Sequence, residues 1–223
     1  MDAKRFTIDH DKVWQRPDEA YFDFQDGAKD IKPEKLSNGK YKSLQEKRDI
    51  AIFGACLYEM TGQPSFVQMN SKSDSPDAFI LQQSTTDITT SNIAPIEITF
   101  YGRNKLGPPT ESLADRLSKD GGKFQEKLPP GYWLLVHVGK DLQPNHLEVT
   151  QRLKAIDAKF GVFSIQEISS HPDTILRFVT YNPECKTKEI NIGEVFHKLS
   201  KSNIPGEVTQ VRGFPPNDTR KPA

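Results

Sequence analysis

The amino-acid sequence predicts an α/β fold: a mixed central β-sheet with helices on both faces. Three observations carry the prediction. A well-patterned helix at about 43–61 is followed directly by three short strand-like segments. The most apolar run of the chain, Tyr132 to Val138, is short, β-rich and bounded by Pro-Pro-Gly and Gly139, as expected of a central strand covered on both faces. Early strands that meet as hairpins and later ones separated by helical patterns imply a sheet with both antiparallel and parallel pairs.

In chain order, residues 1–40 scatter Phe6, Trp14, Tyr21, Phe22 and Phe24 among charges and turn formers. They read as an arm packed on the domain, with DEAYFDF as a short strand and turn signals at Gly27, Pro33 and Asn38-Gly39. Residues 41–214 read as the single domain. In the first helix Ile50, Phe53, Gly54, Leu57 and Thr61 recur at helical spacing. Ser43 with Glu46 fits a capping box, and Gly62 ends the helix. Strands are expected at about 65–69, 77–82 and 94–101, and a polar helix at 111–119 that breaks at Gly121-Gly122. After the apolar strand, Pro144 opens a helix through about Phe160 with Val149, Leu153, Ile156 and Phe160 on one face. Strands at 163–168 and 174–181, a short helix at 191–200 and a last strand near 207–211 close the domain. The polar run QQSTTDITTSN reads as a long hairpin connection, and residues 215–223 as a disordered tail.

Composition bounds the function. At 223 residues the chain is long enough for one well-cored domain. Lys+Arg and Asp+Glu are each 30, so the net charge is zero and gives no general argument for nucleic acid. A DNA-facing patch must then be local. Two cysteines, Cys56 and Cys185, without a CxxC partner disfavour a cysteine zinc site and fit a reducing compartment. The charged N-terminus lacks the apolar core of a signal peptide, and no apolar run is long enough to span a membrane. The expected location is cytoplasmic.

The chemistry concentrates in the three-strand unit. Period-two alternation in 94–101 sets Ile96, Ile98 and Phe100 on one face and Glu97, Thr99 and Tyr101 on the other. A mid-strand carboxylate among β-branched neighbours calls for a partner. Ser75-Pro76-Asp77 places a second acid at the mouth of the preceding strand. Two carboxylates on adjacent strands can share a hard divalent cation such as Mg²⁺ or Mn²⁺, which would activate water and offset charge on a phosphate. The plainer readings are that Asp77 caps a turn and that Glu97 belongs to a solvated strand face.

A helix, a hairpin with Pro-Asp, a strand with Glu97, a helix and an apolar strand together resemble the core of the PD-(D/E)xK nuclease superfamily, over about residues 43–140. The resemblance implies a restriction endonuclease-like core, Asp77 and Glu97 as metal ligands, and assistance from Glu46 on the first helix. It implies catalytic roles for Asp77, Glu97, Thr99 and Glu46, with DNA as the partner. Thr99 stands where the family usually has lysine; a hydroxyl positions water but supplies no positive charge. Arg103, Lys105, Arg116 and Lys119 are candidates for the displaced charge, and Tyr101, Arg103 and Lys105 for nucleic-acid contacts. Glu59 projects from the other side of the helix. The expected function is a metal-dependent nuclease with a degenerate site. The alternative is an inactive nuclease-like domain that binds nucleic acid or serves protein assembly. The sequence leaves the oligomeric state open, a homodimer included.

The five histidines show no metal spacing, and His137 in the apolar strand reads as a satisfied core residue.

Overall fold

The structure, a computed structural model, describes residues 12–36, 39–70, 76–83, 91–102, 109–118, 128, 131–158, 160–170, 174–182 and 184–208. The expected tail, residues 84–90 of the polar connection, Gly121-Gly122, Arg103, Lys105 and Lys119 lie outside them.

The chain enters through a two-residue strand, β1 (Trp14–Gln15), and a helix, α1 (Pro17–Ala28). The DEAYFDF segment is therefore helical rather than extended. Pro17 at the first helical position and Asp18 and Glu19 in the first turn favour a helix start. Ala20 and Phe24, four residues apart, are both buried. That shared face against the core outweighs the strand propensity of the aromatic residues. A short helix α2 (Pro33–Leu36) and a 3-10 turn lead to α3 (Lys42–Thr61). Ile50, Phe53 and Leu57 are buried as their spacing predicts. The expected capping box is not formed: Tyr41 is the N-cap and makes no side-chain cap hydrogen bond, so Ser43 already lies inside the helix. Gly62 ends α3 at φ 68°, a left-handed conformation that glycine adopts without strain.

Next come β2 (Ser65–Met69), β3 (Ala78–Gln83), β4 (Ser91–Tyr101), α4 (Leu113–Ser118) and β5 (Trp133–Val138). They are followed by α5 (His146–Ala155), β6 (Gly161–Ser170), β7 (Thr174–Asn182), β8 (Lys186–Asn191), α6 (Ile192–Ser200) and β9 (Glu207–Val208). Asn145 and Asn191 cap α5 and α6 by accepting from first-turn backbone N–H groups. Among the described residues nine strands form one sheet in the order β8-β7-β6-β5-β4-β3-β2-β1-β9. β4, β5 and β6 run parallel and every other pair is antiparallel. The mixed α/β architecture is thus as expected. The addition is β8, whose KTKEIN sequence is mostly exposed at a sheet edge and so carries no apolar alternation.

Two large cores flank the sheet, beside a smaller cluster of Trp14, Phe66, Phe79 and Leu81. On one face α1, α3 and α6 pack over Val67, Ile80, Ile96, Leu135, Ile165 and Phe178. On the other, α4 and α5 pack over Leu134, Val136, Val138, Val162 and Tyr181. The alternation of Leu134, Leu135 and Val136 between the two clusters shows β5 covered on both faces. Close approach of α3 to the first layer depends on Gly54: a Cβ there would stand 2.9 Å from Pro17 Cγ and 3.0 Å from Val67 Cγ1. No helix among the described residues is long and apolar enough to cross a membrane.

Candidate functional site

The N-terminal turns of α3 overhang the carboxyl ends of β4 and β5, the end of a parallel pair at which open α/β sheets commonly bind ligands. Between them lies a cleft of about 340 Å³, within the usual range of ligand pockets, roughly 300–1,000 Å³. α3 contributes Lys42, Gln45, Glu46, Arg48 and Asp49; the strands contribute Ile98, Thr99, Phe100 and His137.

Asp77 sits at one corner of this region, just before β3. Its backbone N–H donates to the Ile96 carbonyl at 2.9 Å, and its Oδ2 accepts from the Ile98 N–H at 2.8 Å. The side chain thereby continues the β3–β4 ladder, a structural role. Its other oxygen, Oδ1, lies 3.8 Å from Lys42 Nζ, which is 2.8 Å from Glu46 Oε1. Asp77 and Glu46 are thus linked at one corner through a lysine one helical turn before Glu46. The hydrogen bond to Glu46 raises the Lys42 pKa, and Asp77, Glu46 and Glu97 add to it against the effect of burial. Burial raises the Glu46 pKa, reinforced by Asp77 and Asp49 and opposed by Lys42.

Glu97 and Thr99 occupy a different face. Ile96 and Ile98 belong to the α3-side core, whereas Tyr101 belongs to the core under α4. The pleat turns Glu97 and Thr99 the same way as Tyr101. Glu97 acts on Lys42 through its charge, but it leaves the sheet on the face away from Glu46. Thr99 borders the cleft between Ile98 and Phe100.

Oxygen donors such as Asp77, Glu46 and Glu97 suit a hard cation, but their placement does not. Among the described residues no three His, Cys, Asp or Glu side chains form a group that could hold a metal ion. The Lys42 ammonium stands between Glu46 and Asp77, where a shared cation would stand. The corner fits an internal ammonium rather than Mg²⁺ or Mn²⁺.

Tyr101, expected as a nucleic-acid contact, is buried, and its hydroxyl donates to the Glu111 carbonyl at 3.0 Å. Its pKa is raised, first by that burial. A β-strand aromatic at the end of a polar face reads as exposed until the helix that covers it is known; α4 supplies that cover. Arg116 lies on α4, close enough to the Tyr101 hydroxyl to act on its charge and on the face opposite α3. Glu59 is held by Lys188 and Lys198, each at 3.2 Å, away from the cleft.

The pair that the sequence reading passed over is His137 with Asp49. Asp49 is 5% exposed, and both of its oxygens lie near His137 Nδ1, at 3.0 and 2.9 Å. The imidazole is partly exposed, borders the cleft and meets the Phe100 ring edge-on at 5.4 Å. A signal was present for one of them: His137 is a polar residue inside the apolar run WLLVHV, whereas Asp49 follows Glu46, Lys47 and Arg48 and carries no such mark. A polar residue in an apolar strand costs least when a partner satisfies it. Nothing in the one-dimensional sequence links positions 49 and 137.

Compared with protein-family models, curated proteins and solved structures, the chain matches none.

Proposed function

We propose that this domain is a nuclease-like module that binds nucleic acid at the α3–β4–β5 cleft, with its acidic corner serving structure rather than metal-dependent hydrolysis. The observation that carries this reading is Lys42, whose ammonium lies between Glu46 and Asp77 at 2.8 and 3.8 Å. It neutralises the acids that a metal-dependent site would keep for its cation. The succession α3–β2–β3–β4–α4–β5, antiparallel through β4 and then parallel, supports kinship with the restriction endonuclease-like core.

Three features favour a nucleic-acid ligand. The N-terminus of a 20-residue helix opens beside the cleft with no side-chain cap, which favours anions. Lys42 and Arg48 bring cations to the lining. Phe100 is 53% exposed, a large aromatic face on which a base can stack. Both cations already have acidic partners, Glu46 and Asp77 for Lys42 and Glu167 for Arg48, so binding is expected to be modest and salt-sensitive.

Fluorescence anisotropy with short labelled DNA and RNA strands tests the reading. Engagement of one phosphate by each cation on a single strand gives a slope of log K against log salt of about −1.4. Phe100→Ala is expected to weaken binding by about 1–3 kcal/mol. Binding of no strand, or identical binding by Phe100→Ala and Arg48→Ala, would refute it.

A second reading, metal-dependent phosphodiester hydrolysis through Asp77, Glu97 and Glu46, is favoured by the approach of Asp77 and Glu46 to one corner. Cleavage of DNA in the presence of Mg²⁺ or Mn²⁺ that is lost in Asp77→Ala would replace the first reading by this one.

A further inference from the structure

The cleft holds groups that neither reading uses. The buried Asp49 carboxylate faces His137 Nδ1 with both oxygens, so it orients the ring and assigns the Nδ1 proton to itself. This leaves Nε2 for the cleft, and among the described residues no side chain or backbone group takes it. Glu46 lies three residues before Asp49 on the same face of α3, about 4.5 Å along the axis, and lines the same cleft. Its carboxylate, 14% exposed, stands 2.8 Å from the Lys42 ammonium. A base held by a buried carboxylate, two cations and an exposed aromatic ring thus share one cavity. These are the parts that phosphoryl transfer to an internal hydroxyl requires, and none of them is a metal.

We infer that the cleft cleaves RNA without a metal ion, with His137 as general base, an inference that rests on the nucleic-acid reading above. His137 Nε2 removes the proton of a ribose 2′-hydroxyl. The O2′–P bond forms as the P–O5′ bond breaks, and the departing O5′ takes its proton from solvent. The products are a 2′,3′-cyclic phosphate and a 5′-hydroxyl, and solvent takes the proton from His137. No oxidant or co-reactant enters. Lys42 and Arg48 face the phosphoryl oxygens, and Phe100 stacks the neighbouring base. Asp49 touches no substrate and is a positioning residue. The charged groups around His137 are Asp49, Glu46, Lys42 and Arg48 from α3 and Glu167 from β6. DNA, which lacks the 2′-hydroxyl, is bound and not cut.

The test uses the full chain in EDTA, an end-labelled oligoribonucleotide and its 2′-deoxy counterpart. Product ends are identified by mass, and affinity for the deoxy strand is measured in parallel. RNA cleavage to 2′,3′-cyclic phosphate ends is expected, with the deoxy strand intact. His137→Asn should lower the rate at least 100-fold, far more than it lowers affinity for the deoxy strand. Asp49→Asn should lower it less and displace the pH–rate profile; His137→Gln serves if His137→Asn does not fold, as judged by circular dichroism. A deoxy strand that binds while RNA stays intact overturns this inference and leaves the binding reading standing. If neither strand binds nor is cut, both fall. Cleavage that survives in folded His137→Asn, or that requires Mg²⁺, also overturns it.

Discussion

Replacing Lys42 by methionine isolates the role of its ammonium, because the aliphatic stem is kept. The pair with Glu46 spans one helical turn, and the Lys42 side chain is 69% exposed. Solvent screening therefore limits its direct loss to about 0.3–1 kcal/mol. The acids are less exposed than the lysine, at 14% and 17%. Without the ammonium, burial and the Asp77 charge act on Glu46 unopposed by Lys42 and raise its pKa further. A carboxyl group whose pKa is higher in the folded than in the unfolded state loses stability as pH rises through the interval between the two values. The deficit of Lys42→Met should thus be largest near pH 7 and shrink as pH falls toward the ordinary value of 4.5. The vacated position should also admit a cation. For a dissociation constant of about 1 mM, 10 mM Mn²⁺ would stabilise the variant by about 1.4 kcal/mol and leave the parent unchanged. Urea titrations at pH 7 and pH 4.5, with and without Mn²⁺, measure both effects. Equal Mn²⁺ stabilisation of parent and variant, or none in either, would refute the assignment of Lys42 to the cation's place.

Two further predictions concern the frame. Arg16 donates to both oxygens of Asp18, at 2.6 and 2.8 Å, and to the Ile204 carbonyl at 2.5 Å; Asp18 is 1% exposed. Arg16→Met strands that buried carboxylate and should cost about 3–5 kcal/mol in chemical denaturation, with partial recovery in Arg16→Met/Asp18→Asn; a loss below about 1 kcal/mol would contradict the burial argument. Burial pushes the Glu59 pKa up, but the hydrogen bonds from Lys188 and Lys198 outweigh it and leave the pKa below its ordinary 4.5. Its stabilisation is therefore present above that value and lost as pH falls through the lower, folded one. The stability gap between the parent and Glu59→Gln should close on acidification below pH 4.5, and a gap independent of pH would show that Glu59 acts without its charge.

Local pattern accounts for what could be read in one dimension. Period 3.6 marked α3 and period two marked β4, because each exposes one face to the core and the other to something else. β2 was legible to the residue, and β5 by its density of apolar residues. α1 was misread because aromatic content favours strands while the packing of Ala20 and Phe24 favours a helix, and packing is not visible locally. β8 was missed because an exposed edge strand needs no apolar face.

The sequence by itself determined the class of fold, the order of most elements, and Asp77 and Glu46 as acids at the start of a strand and a helix. Tertiary structure decided their company. It set Lys42 between them, turned Glu97 to the far face, covered Tyr101 with α4, and joined Asp49 to His137 across 88 positions of chain. The physical reason is that periodicity reports which face of an element is buried, whereas charge compensation depends on distance in space. Only the stacking of α3 on the parallel β4–β5 pair brings those side chains within reach of one another.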